Sequence, residues 1–91
     1  MSVYLVTYDL SAPGRDYNEV LKRIRSYDGY AEITESTHAV STNSTAEEVR
    51  DYVSGGMDKN DTLYIIALHL PWAGIGPKRV NEWLNNHLTG C

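Results

Sequence analysis

The chain has 91 residues, a formal charge of −4, seven Tyr, two Trp, no Phe and a single Cys, Cys91. A length this short implies one domain with a thin core, for which pairing into a homodimer would be an advantage. The acid excess excludes strong non-specific nucleic-acid binding by clustered cations, though not a local basic patch. The lone thiol excludes an internal disulfide. No apolar run approaches the roughly 20 residues of a membrane span. The first residues lack the basic-then-apolar pattern of a secretory signal, so a cytoplasmic protein with no membrane partner is expected.

Residues 2–10, SVYLVTYDL, are rich in Val, Tyr, Leu and Thr and read as a strand. Both of its alternating faces are largely apolar, the pattern of a central strand. Ser11 to Gly14 form a loop, because Pro fixes φ and Gly permits a turn. Residues 16–28 read as a helix with Tyr17, Val20, Leu21, Ile24 and Tyr27 on one stripe, Asp16 and Glu19 at capping-box spacing, and Gly29 as the stop. Residues 30–42 hold two short strands or one bent strand, with Ser36-Thr37 as a tight turn or bulge.

Residues 45–54 read as a second helix, capped by Thr45 with Glu48 or by Ser44 with Glu47. Gly55-Gly56 and a polar turn lead to TLYIIALHL, residues 62–70, the most strand-like segment of the chain. Pro77 can open a third helix, where its missing N–H costs little. Val80, Trp83, Leu84 and Leu88 fall on one face of it. The order β-α-β-β-α-β followed by a helix is the split βαβ arrangement. It predicts an α+β domain over 1–91, with a ferredoxin-like core of about 2–70 and a C-terminal loop and helix at 71–89. Four antiparallel strands would be covered on one face by two helices. The other face would need a dimer partner or the last helix.

Several residues carry candidate chemistry, each beside a plainer role. Asp9 closes the first strand, either as a functional carboxylate or as an acid that binds the loop backbone. Ser11 lines the same mouth, or bonds its own backbone. Arg15 is placed to contact a phosphate, or is a solvated loop residue. Asp16 reads as a helix cap. His38, beside Ser36 and Thr37, is a candidate acid–base group near neutral pH, or a structural His. Lys22, Arg23 and Arg25, with Lys78 and Arg79, form either a phosphate-facing patch or a solvated surface. Trp72 offers a stacking platform for a base, or folds back onto the core. No His, Cys and acid combination has zinc-ligand spacing.

Val6-Thr7-Tyr8-Asp9-Leu10, the helix ending at Gly29, Ser36 at the second hairpin strand, and Asp61 before Leu63 to Leu70 resemble one known pattern. It is that of the small CRISPR-associated adaptation subunit and its virulence-associated protein D relatives. The resemblance covers roughly residues 2–70. It implies a homodimer that acts on RNA or DNA. In the nuclease members, the acid matching Asp9 in each subunit would hold a divalent ion across the dimer axis. For this chain that implies Mg²⁺ or Mn²⁺ at Asp9, because hard cations prefer carboxylate oxygens and water and can activate a nucleophile. Other members are adaptors without catalysis, so the alternative is a binding module holding a protein partner or a small nucleotide. Many members end in a strand exchanged between subunits. Here the tail after Leu70 is Pro-Trp-Ala-Gly-Ile-Gly and a helix.

Overall fold

The first strand is apolar on both sides because one side is covered along its length and the other at its start. In the computed structural model, which describes residues 1–11 and 17–90, Val3, Tyr4, Val6 and Tyr8 of strand β1 (Ser2–Asp9) are all buried. The elements that follow are α1 (Asn18–Arg25), β2 (Gly29–Thr34), β3 (Thr37–Thr42), α2 (Ala46–Ser54), β4 (Thr62–Ala67) and α3 (Lys78–His87). The strands form one antiparallel sheet in the order β2-β3-β1-β4. With the helix placement below, this is an α+β domain compatible with a ferredoxin-like fold plus a C-terminal helix.

One sheet face carries the larger core. Tyr4, Val6 and Tyr8 of β1 and Val40 of β3 meet Val20 and Ile24 of α1 and Val49 and Val53 of α2. The α1 stripe at positions 20 and 24 therefore does what its spacing implies. The opposite face holds a smaller core in which Val3 and Ala39 meet Val80, Leu84 and Leu88 from α3 and the residue just past it. The C-terminal helix thus covers part of the second face. The β4 side stays open, with Tyr64 62% and Ile66 50% exposed.

The elements differ from the sequence expectation at their ends. Helix α1 closes at Arg25 with Ser26 as its C-cap, so Gly29 is not the helix stop but the first residue of β2. A Cβ there would lie 3.2 Å from the Ser41 Cβ and 3.6 Å from the Trp83 ring. The tight contact is therefore with the cross-strand partner Ser41, while the α3 ring sits at ordinary contact distance. The expected cap at Asp16 lies outside the described residues. The hairpin turn is Glu35-Ser36, one residue earlier than expected, and the pairing register shifts between Glu32 and Thr34. Strand β4 ends at Ala67 rather than Leu70. The Leu68 N–H still donates to the Val3 carbonyl, but the Leu70 N–H turns to Thr89, and Leu70 pairs with Gly90 in parallel. The chain after α3 thus returns alongside the end of β4.

Of the two frames for capping α2, Thr45 with Glu48 is the one used. The Thr45 hydroxyl accepts from the Glu48 N–H at 3.1 Å, and the Glu48 carboxylate accepts from the Thr45 N–H at 2.8 Å. Thr45→Ala removes the first of these bonds and is expected to cost about 1 kcal/mol. Ile24→Ala empties a fully buried site and is expected to cost about 2–5 kcal/mol. Urea unfolding monitored by Trp fluorescence should rank the two variants in that order.

Candidate functional site

The end of β1 is held by an acid other than Asp9. The Asp61 Oδ1 accepts from the Ser11 backbone N–H at 2.8 Å and from the Ser11 hydroxyl at 3.0 Å. Its Oδ2 accepts from the Asp58 N–H at 2.8 Å. Asp61 therefore ties the exit of β1 to the turn that enters β4, and Ser11 is one of its donors. Asp9 itself pairs with Thr62 across the ladder and is exposed on the same face as Leu5 and Thr7. That is the open face, at the rim of the strip bearing Tyr64 and Ile66. Among the described residues no three His, Cys, Asp or Glu form a metal-holding group. Asp9 is one carboxylate per chain, so a shared Mg²⁺ or Mn²⁺ fits only where a second copy brings its own Asp9. Arg15 lies outside the described residues.

His38 is on the other face, across the ladder from Val6 and Glu32, so β1 separates it from Asp9. It has no exposed surface, and neither ring nitrogen has a hydrogen-bond partner among the described residues. Its ring stacks on Tyr8 with centroids 6.0 Å apart and planes 9° from parallel. The Glu32 Oε1 is 3.8 Å from Nε2, close enough for ionic attraction but too long for a hydrogen bond. Burial pushes the imidazole below its ordinary value, Glu32 pulls it up, and Arg25 pushes it down. The Tyr8 hydroxyl, 3.4 Å from the Glu35 carbonyl it donates to, is pushed up chiefly by its own burial. The expected acid–base residue is therefore a sealed neutral imidazole behind the sheet surface, with Glu32 at its outer edge.

Glu32 also lines a concavity at the β2 edge. At the β2 edge a cleft of about 470 Å³ is lined by Arg25 at the end of α1, Tyr30 and Glu32 of β2, and Arg79 and Trp83 of α3. Its size falls in the range of small-ligand sites. The two arginines are 54 positions apart in the chain and line one cleft because α1 and α3, packed on opposite faces of the sheet, both lie beside β2. The first turn of α3 contains no acid, so its N-terminal dipole adds to the positive potential of Arg79. Among the described residues Arg79 has no carboxylate partner. Arg25 Nη2 is 4.0 Å from the Glu32 Oε1. Trp83 is fixed by stacking on His87, with centroids 3.9 Å apart. The His87 Nδ1 lies 2.8 Å from the Trp83 carbonyl.

The structure divides the expected basic set. Arg23 is structural: its Nε bonds Glu19 at 2.8 Å and its Nη1 bonds the Tyr52 carbonyl at 2.8 Å. Lys22 is exposed one turn before Arg25, on the same side of α1. Trp72 is elsewhere. Its Nε1–H donates to Asn85 at 3.0 Å, and its ring packs on the smaller core and lines an apolar cavity of about 350 Å³. The sequence reading missed Tyr30 and Glu32 as site residues and gave Trp83 only a place on the apolar face of α3; the ring does pack against the smaller core, and it lines the cleft as well. Period-two alternation assigns faces of a strand, but it does not reveal which face residue lies at an open edge.

No protein-family model, curated protein or solved structure matches the chain. What the site supports therefore rests on its own geometry. Because the folded protein keeps His38 neutral more strongly than the unfolded chain does, stability is complete above the unfolded value near ~6.5. It is lost progressively as pH falls from there toward the lower folded-state value. Urea midpoints should drop between about pH 7.5 and pH 5.5. His38→Phe, which retains a ring against Tyr8 and leaves no orphaned nitrogen, should flatten that drop.

Proposed function

We propose that this protein binds nucleic acid, and that the Arg25–Arg79 cleft is where a phosphate-bearing strand or small nucleotide docks. The observation that carries this reading is the convergence of two cations and two aromatic rings, from three different elements, on one concavity. Guanidinium groups recognise phosphate oxygens through paired N–H donors. Tyr30 and Trp83 supply ring faces on which a base stacks without regard to its identity. The net charge of −4 keeps the attraction local, so binding is modest in strength and confined to the cleft. This is the non-catalytic, nucleotide-holding member of the two expectations.

One observation favours the second reading, a homodimer with a metal-dependent nuclease centre at Asp9. The β4 edge carries no charged residue between Thr62 and Ala67, and its Tyr64 and Ile66 are exposed beside Asp9 on the same face. Unprotected apolar edges of this kind are places where chains pair. A second copy packed face to face on that strip would bring the Asp9 carboxylates toward each other, where they would hold Mg²⁺ or Mn²⁺ and so supply an activated water for phosphodiester cleavage; pairing edge to edge through β4 would instead leave them about 14 Å apart, three strand spacings.

A labelled single-stranded oligonucleotide, titrated by fluorescence anisotropy, tests the cleft. Arg25→Ala and Arg79→Ala should each weaken binding about five- to tenfold, the loss of one charge-assisted contact. Two phosphate contacts predict a slope of log K against log salt near about −1.4. Undiminished binding by both variants would sink the reading. Sedimentation equilibrium tests the second reading: wild type should be dimeric and Ile66→Asp monomeric. Any Mg²⁺-dependent cleavage should vanish in Asp9→Ala with the dimer intact, and a monomeric wild type removes the shared ion.

A further inference from the structure

A single oxygen connects the cleft to the buried imidazole. Glu32 Oε1 is 4.0 Å from Arg25 Nη2 and 3.8 Å from His38 Nε2. On its outer side it faces a cation that lines the cleft. On its inner side it faces a fully buried ring whose nitrogens have no hydrogen-bond partner among the described residues. A buried polar group without a partner requires an explanation, because its desolvation is then uncompensated. The groups around it are few. From β1 comes Tyr8, whose hydroxyl is directed at the Glu35 carbonyl. From β2 comes Glu32 and from α1 comes Arg25. From α2 the core side chains are the apolar Val49 and Val53.

We infer that His38 and Arg25 compete for Glu32, so that protonating His38 releases Arg25 to a phosphate and binding at the cleft strengthens as pH falls below neutral. This deepens the nucleic-acid reading of the cleft and rests on it. With His38 neutral, the Glu32 carboxylate offsets the Arg25 charge. A protonated His38 is a buried cation, and a buried cation must be paired. The carboxylate within reach is Glu32, 3.8 Å from Nε2 and about half exposed, so that its side chain is not locked in the core. An inward shift of about 1 Å brings it to hydrogen-bonding distance of Nε2. Arg25 then keeps its donors for the ligand. The linkage is reciprocal: a phosphate that draws Arg25 away from Glu32 makes His38 easier to protonate.

Oligothymidylate carrying a dye of pH-independent charge is a suitable probe. Neither thymine nor a phosphodiester titrates between about pH 5.5 and pH 7.5, the window in which His changes charge. Wild type should bind about fivefold or more tightly at the lower pH. His38→Phe should show no such gain. Glu32→Gln, a surface change that spares the core, should bind at the higher pH about as tightly as wild type does at the lower, with its pH dependence lost. A gain that persists in His38→Phe or in Glu32→Gln would assign the effect to another group, such as His87 beneath Trp83, and overturn the inference. Wild-type binding that is equally tight at both pH values also overturns it, while leaving the cleft reading in place. Absence of binding at both values overturns the two together.

Discussion

The structure depends on the double burial of β1. The strand is paired on both edges and packed on both faces, with Val6 having no exposed surface. In a strand a one-residue slip moves every side chain to the other face. A slip here would send Tyr4, Val6 and Tyr8 away from α1 and α2, and Val3 away from α3. The registers with β3 and β4 are therefore fixed together. They determine which residues reach the rims, and so they place Asp9 on the open face and His38 beneath the helices.

The same constraint accounts for the state of His38. Position 38 pairs with Val6, and that face is committed to the larger core. A side chain there must be enclosed, whatever its chemistry. An apolar residue would serve packing at least as well, since a partnerless imidazole contributes desolvation cost and no hydrogen bond. The ring is nonetheless well seated, parallel to Tyr8 and facing the one acid of β2. Stability alone does not favour a titratable group at this position. Its contact with Glu32, and through Glu32 with Arg25, is the feature an apolar substitute would lack.

Much of this fold was legible in the sequence because the local signals agree with the tertiary result. The apolar run of β1, the stripe at 20 and 24, the Thr45–Glu48 cap and the stripe of α3 all follow from periodicity and capping chemistry. The misplaced boundaries have tertiary causes. Gly29 looks like a helix stop, but it is a strand residue at which a Cβ would press tightly on Ser41 across the ladder. Leu68 to Leu70 look like strand, yet the backbone of residues 89 and 90 draws Leu70 off the ladder. The site was less legible still. In the sequence Asp61 is one acid of a polar turn, whereas in the fold it is the residue that binds Ser11. Arg25 and Arg79 belonged to an undivided basic set until the placement of α3 separated them from Arg23, whose partners are Glu19 and Tyr52.

The two free edges of the sheet differ in a way that follows from where α3 lies. Trp83 and Val80 cover the β2 side, and the polar cleft forms where that helix begins. Among the described residues no helix covers Tyr64 and Ile66 in that way, so β4 keeps an apolar edge with no charged residue of its own. On a protein of net charge −4, an edge strand without charged residues presents little local repulsion to a second copy. The β2 edge has the opposite character. Its Glu32 opposes strand addition, as a charge on an edge does, while Arg25 and Arg79 beside it favour an anion. Pairing through β4 would therefore leave both clefts open on the outer edges of a continuous sheet. Self-association and ligand binding would then not compete for the same surface.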